Sequence, residues 1–145
     1  MRNSLRTGAV ATLLAGLSLM PTAAHATPGG PGVTAKLLAP TTTVGGKDYT
    51  LREITIPPGQ GTGWHFHDGT LYGRVVQGTL SHFDASCGSD GVYSKGDFLT
   101  EPGGSEHVHI GQNRGTTDVV LQVLYVLPHG APFSEDASNP GCDFE

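Results

Sequence analysis

The chain has 145 residues, a formal net charge of −5 at pH 7, 22 glycines, 10 prolines and two cysteines. That length accommodates one domain with a modest core and leaves no room for a second. An acidic chain is poorly suited to phosphate backbones, so no nucleic acid is expected as a partner.

Residues 1–26 read as a secretory signal peptide: Arg2 and Arg6 give a positive start, an apolar run ends at Met20, and Ala24-His25-Ala26 offers a small-x-small cleavage site. Removing them takes the net charge from −5 to −7, because two arginines and no acids are lost. The acidic residues that remain are scattered, which reads as a solvated surface. No later apolar run approaches the ~20 residues of a membrane span, so the mature chain is expected to be soluble, secreted and extracellular. Residues 27–33, Thr-Pro-Gly-Gly-Pro-Gly-Val, lack periodicity and read as a flexible leader to a domain over 34–145.

Strand-like runs then follow at short intervals, at 34–38, 49–56, 63–67, 71–77, 79–84, 97–100, 107–110 and 118–127. Turn signals separate them, among them Pro57-Pro58-Gly59, Asp68-Gly69, Ser89-Asp90-Gly91 and Pro102-Gly103-Gly104. No mature segment carries a 3.6-residue apolar stripe, so the chain reads as all-β, a sandwich or a small barrel. Cys87 and Cys142 both lie among turn formers in a compartment that permits oxidation, and one disulfide between them is expected. It would tie the C-terminal tail to the body.

Two His-x-His steps carry the chemistry: His65-Phe66-His67 and His107-Val108-His109. Successive strand side chains alternate faces, so each step puts two imidazoles on one face. That arrangement suits a borderline divalent ion, whether Fe, Mn, Ni, Cu or Zn. Alternation leaves Trp64 and Phe66 on the opposite face as packing residues. His82 and His129 stand alone and read as surface or hydrogen-bonded side chains. Glu101 and Glu106 flank a turn, where solvation is the default, and Arg74 reads as a surface residue.

Set in their glycine frame, these steps resemble the cupin superfamily. The first cupin motif (Gly, five residues, His-x-His, three or four residues, Glu, six residues, Gly) falls on Gly59, His65, His67, Leu71 and Gly78. Only the glutamate is missing, replaced by Leu71. The second (Gly, five residues, Pro-x-Gly, two residues, His, three residues, Asn) falls on Gly96, Pro102, Gly104, His107 and Gly111, with Asn113 two places beyond the motif's asparagine.

The resemblance implies a single jelly-roll cupin barrel, one bound transition metal, and His65, His67 and His107 as its ligands. It also implies a homodimer. Without the carboxylate at Leu71, three outcomes are open: a three-histidine site with free positions, recruitment of His109 as a further ligand, or a pocket that has lost its metal. Flavonol-cleaving cupin oxygenases use that glutamate as a base, so another base would be needed here. His109 is the candidate for base or supporting group, ahead of Glu101, Glu106 and Tyr125. The function expected is a secreted metal-binding protein acting on a small organic molecule as a dioxygenase-like or lyase/isomerase-like enzyme. The alternative is a non-catalytic module that binds a small metabolite or sugar.

Overall fold

The computed structural model describes residues 29–144. The signal-peptide reading of residues 1–26, and the first two residues of the leader, lie outside the described residues. The rest of the leader is not loose: Gly30 N–H donates to the Gly61 carbonyl at 2.8 Å, fastening it to the body.

Eleven strands and no helix occur among the described residues: β1 (Thr34–Leu37), β2 (Thr42–Val44), β3 (Lys47–Ile56), β4 (His65–Phe66), β5 (Thr70–Gln77), β6 (Thr79–Asp84), β7 (Ser89–Ser94), β8 (Phe98–Glu101), β9 (His109–Gln112), β10 (Val119–Pro128) and β11 (Glu135–Asp136). They form two antiparallel sheets. One runs β1-β3-β10-β5-β8 with β2 on β3, and the other runs β11-β4-β9-β6-β7. This is the all-β jelly-roll barrel anticipated from the sequence.

Strand alternation builds the core. Along β10, Val119, Leu121, Val123, Tyr125 and Leu127 are buried while the residues between them are not. They pack against Ile54 and Ile56 of β3 and Leu71 and Val75 of β5. Burying such side chains supplies most of the folding free energy, about 1.5–3 kcal/mol each.

Around β6 and β9 the second sheet is covered on both faces, for two different reasons. Its inner face carries Leu80 and most of the histidines, while Trp64, Phe83 and Ile110 form a separate apolar cluster on the other side. The C-terminal tail covers that cluster, with Phe144 lying 4.6 Å from Phe83 and 6.3 Å from Trp64 between ring centroids. The Cys87–Cys142 disulfide holds the tail there. Trp64 is fully buried in this cluster, so its role is packing, as expected.

Four strands differ from the sequence reading. Ser89-Asp90-Gly91, read as a turn, begins β7, an edge strand whose polar residues carry no alternating apolar signal. β2 and β11 are short and polar for the same reason, and pairing alone defines them. The expected strand at 107–110 begins two residues late, at His109, because a turn with the His107 N–H on the Gly104 carbonyl occupies the intervening positions.

Candidate metal centre

Three imidazoles meet inside the barrel: His65 and His67 from β4 and its end, and His109 from the start of β9. Their ring centroids are 4.8 Å (His65–His67), 4.4 Å (His65–His109) and 5.2 Å (His67–His109) apart. One nitrogen of each lies within 4.8 Å of the other two, a spacing at which the three could hold an ion. His65 and His109 are direct partners across the β4–β9 pair, so the register itself brings them together.

His107 is not in this group. Its ring is 45 % exposed and stands 3.9 Å from the outward Glu106 carboxylate. The turn that precedes β9 leaves the His107 side chain outside, while its backbone carbonyl accepts a hydrogen bond from His109 Nδ1. The structure therefore brings His109, and not His107, together with His65 and His67; the sequence reading gives His109 as a base, a supporting group or a further ligand. Asn113 supplied the missing signal. It lies four residues after His109, the motif's spacing, so the histidine and asparagine are displaced together. Asn113 is buried and ties down the following turn by donating to the Ile56 and Thr117 carbonyls, each at 2.8 Å.

Each of the three rings has its Nδ1 committed. His65 donates to Gly63 O (2.9 Å), His67 to Phe133 O (2.8 Å) and His109 to His107 O (2.6 Å). Carbonyls only accept, so these bonds set the tautomer and leave each Nε2 lone pair facing inward.

Glu101 faces those lone pairs. Its Oε2 lies 3.1 Å from His67 Nε2 and 3.5 Å from His109 Nε2, and its Oε1 lies 3.4 Å from His82 Nε2. The buried Nε2 atoms of His67, His82 and His109 nonetheless make no well-formed hydrogen bond. In the neutral state this sets acceptor against acceptor in a buried site. A shared cation, either a proton or a metal ion, resolves it.

The electrostatics agree with that demand. Burial drives His65 down to about 3, helped by the neighbouring His109 and His67. Burial alone would raise Glu101, but its contacts with His109, His67 and His82 outweigh that and hold it well below the usual carboxylate range. A depressed histidine and an ionised carboxylate side by side are what a metal ion requires of its ligands.

Glu101 is not the solvated group expected at its turn, and His82 is hydrogen-bonded, as expected, but does not stand alone. The setting of both is described only by the fold. Leu71, where the motif expects the carboxylate, is buried in the apolar core, and Glu101 is its direct partner across the β5–β8 pair. His82 shares the inner face of β6 with Leu80, and its Nδ1 is 2.6 Å from Asp90 on β7. Burial lowers the His82 pKa, but the carboxylates of Glu101 and Asp90 raise it overall. Glu106 is exposed, as expected, and His129 pairs with Asp48 at the surface at 2.9 Å. Tyr125 is buried against His67, with ring centroids 6.1 Å apart.

The family model described as "Cupin domain" matches residues 52–127. A cupin-like protein from Thermotoga maritima superposes with a TM-score of 0.61 at 20% identity, covering 81% of this chain and 89% of its own. The polyketide cyclase RemF from Streptomyces resistomycificus gives 0.58 at 18% identity, covering 79% of each chain. A cupin domain from Bordetella pertussis gives 0.53 at 23% identity, covering 66% of this chain and 94% of its own. Identities this low speak for the fold alone. No curated protein matches the sequence.

Proposed function

This chain belongs to the cupin domain family, and from that premise we propose that it is a metal-dependent enzyme acting on a small organic molecule. His65, His67 and His109 would hold one divalent transition metal, with Glu101 providing the carboxylate absent from position 71. The observation that carries this reading is the set of inward Nε2 atoms facing an ionised Glu101 with no hydrogen bonds between them. Bound there, the metal would supply Lewis acidity or an oxygen-activating centre.

The chain's own residues arrange the rest. Glu101 turns Oε2 to the His67 and His109 nitrogens and Oε1 to His82. Asp90 in turn holds His82 through Nδ1. The Asp90–His82–Glu101 chain thus orients the carboxylate and links it to Asp90, which is 40 % exposed at the surface. Such supporting contacts commonly change metal affinity or activity by about 10–100-fold.

Elemental analysis of protein purified without added metal tests the reading. About one equivalent of a transition metal is expected, lost in His65→Ala, His67→Ala and His109→Ala. Substoichiometric metal even after reconstitution overturns it. An oxygen electrode then separates chemistries: oxygen uptake with turnover selects the dioxygenase form, and turnover without uptake selects the lyase or isomerase form.

Export belongs to the same proposal. The Cys87–Cys142 disulfide supports it, since oxidising compartments are where such bonds persist. Expression of the full chain in a secreting bacterium should yield protein in the medium with Thr27 as its first residue. An intact Met1 terminus found only in the cytoplasm would refute it.

A further inference from the structure

Two cavities meet at the histidine cluster, and they differ in charge. The larger, about 310 Å³, is lined by Asp84, Asp90, Glu106 and His107 and is acidic. The other, about 230 Å³, has an apolar wall from Val33, Ala35, Ile54, Leu121 and Val123. Glu101 and His82 border both, while His65 and His67 border only the apolar one.

One cation stands in that apolar wall. Arg52 occupies the β3 face that also carries the buried Thr50, Ile54 and Ile56, and its partner on β10 is the buried Val123. A charged side chain on such a face is costly unless it is paired. Yet none of the ion pairs found among the described residues involves Arg52. Aromatic rings hold it instead: its guanidinium carbon lies 4.0 Å from the Phe133 ring centroid and 5.4 Å from that of Tyr125. Stacking fixes the guanidinium plane, and apart from its contact with the Tyr125 hydroxyl the fork of N–H donors is left available. Tyr125 lines the same cavity.

The geometry points to a small organic carboxylate as the ligand of this cavity, its anion on Arg52 and its apolar body along Ile54, Leu121 and Val123, with the far end at His65 and His67. A planar guanidinium matches a carboxylate through two parallel hydrogen bonds. The acidic cavity on the other side of the cluster repels the same anion, so entry is one-sided. The volume suits a molecule below drug size. This deepens the metal-site reading at the ligand's far end, whereas the Arg52 contact stands without metal.

Titration calorimetry with benzoate and its neutral counterpart benzamide, on metal-free and metal-loaded protein, tests the inference. Benzoate is expected to bind at least about tenfold more tightly than benzamide, from a charge-assisted hydrogen-bond pair at Arg52. Arg52→Gln should abolish that preference and Arg52→Lys should keep part of it, with melting temperature and metal content unchanged. Should Arg52→Gln fail to fold, the Arg52 Nε–H resonance of labelled wild-type protein provides the second measurement, and it should shift with benzoate and not with benzamide. Equal binding of the two probes, no binding of either, or an unmoved Arg52 resonance overturns the inference. Metal retained without anion preference sinks this inference alone. Anion preference in a protein that holds no metal sinks only the metal reading.

Discussion

Leu71 and Glu101 are direct partners across the antiparallel β5–β8 pair. Directly opposed residues on neighbouring strands project to the same face with Cβ atoms about 4.5–5.5 Å apart. A carboxylate lost from one strand can therefore be recovered from the next without rebuilding the site. Glu101→Leu should lower metal affinity by at least about tenfold, measured by competition with a chromophoric chelator. Adding Leu71→Glu to that variant should recover part of the loss. An unchanged affinity in Glu101→Leu would show that the histidines alone hold the metal.

The two histidines of the second step are expected to separate cleanly. His109→Ala removes a buried imidazole of the proposed site and should abolish stoichiometric metal, whereas His107→Ala removes an exposed ring and should leave it bound. Elemental analysis of both variants decides the matter. Metal loss from His107→Ala would restore the assignment read from the motif spacing.

The disulfide closes a separation of 55 residues and clamps the tail over Trp64 and Phe83. The chain-entropy model gives a stabilisation of about 4 kcal/mol. Cys87→Ser/Cys142→Ser should therefore melt more than about 10 °C below the oxidised protein. Its indole fluorescence should shift to the red as Trp64 loses cover. A drop of only a few degrees would mean the tail holds by packing alone.

The metal-free protein should lose stability in acid. His65 titrates at about 3 when folded, against about 6.5 when unfolded. Between those values the unfolded chain binds more protons, so stability rises with pH, by at most about 1.4 kcal/mol per pH unit for one group. Glu101, held low, acts in the same direction: its contribution is present above about 4.5 and is lost as pH falls through its folded value. His82 is raised, so its contribution is full below about 6.5 and fades as pH climbs through its folded value. Melting temperatures should climb from pH 4 to 6.5, and His65→Gln should flatten that limb. A variant with the wild-type slope would remove His65 from the account.

The loops at the site's rim touch backbone to backbone. A Cβ on Gly103 would sit 2.7 Å from Gly69 Cα and 2.8 Å from Gly69 N, which no side-chain movement relieves. These loops precede β5 and follow β8, so they hold the ends that carry Leu71 and Glu101. Gly103→Ala should cost about 1–3 kcal/mol by denaturant melt and weaken metal binding with it. A neutral substitution would show that the loops part freely.

Much of this protein is legible along the chain, because strand alternation and turn residues are local signals. They identified an all-β chain, its main strands, and His65 and His67 as imidazoles sharing one face, while the resemblance to cupins implied the barrel and the exported compartment the pairing of Cys87 with Cys142. Resemblance to the cupin motifs located the second cluster to within two residues. Asn113 marked the displacement from His107 to His109, though the glycine frame pulled the other way. Which acid and which further imidazole join the site depends on register between strands far apart in sequence. Glu101 reaches the cluster because β8 pairs with β5 opposite Leu71, and His82 because β6 pairs with β9. Such pairings arise only when the whole barrel closes, so the tertiary structure alone turned a solvated-looking glutamate and an isolated histidine into parts of one buried centre.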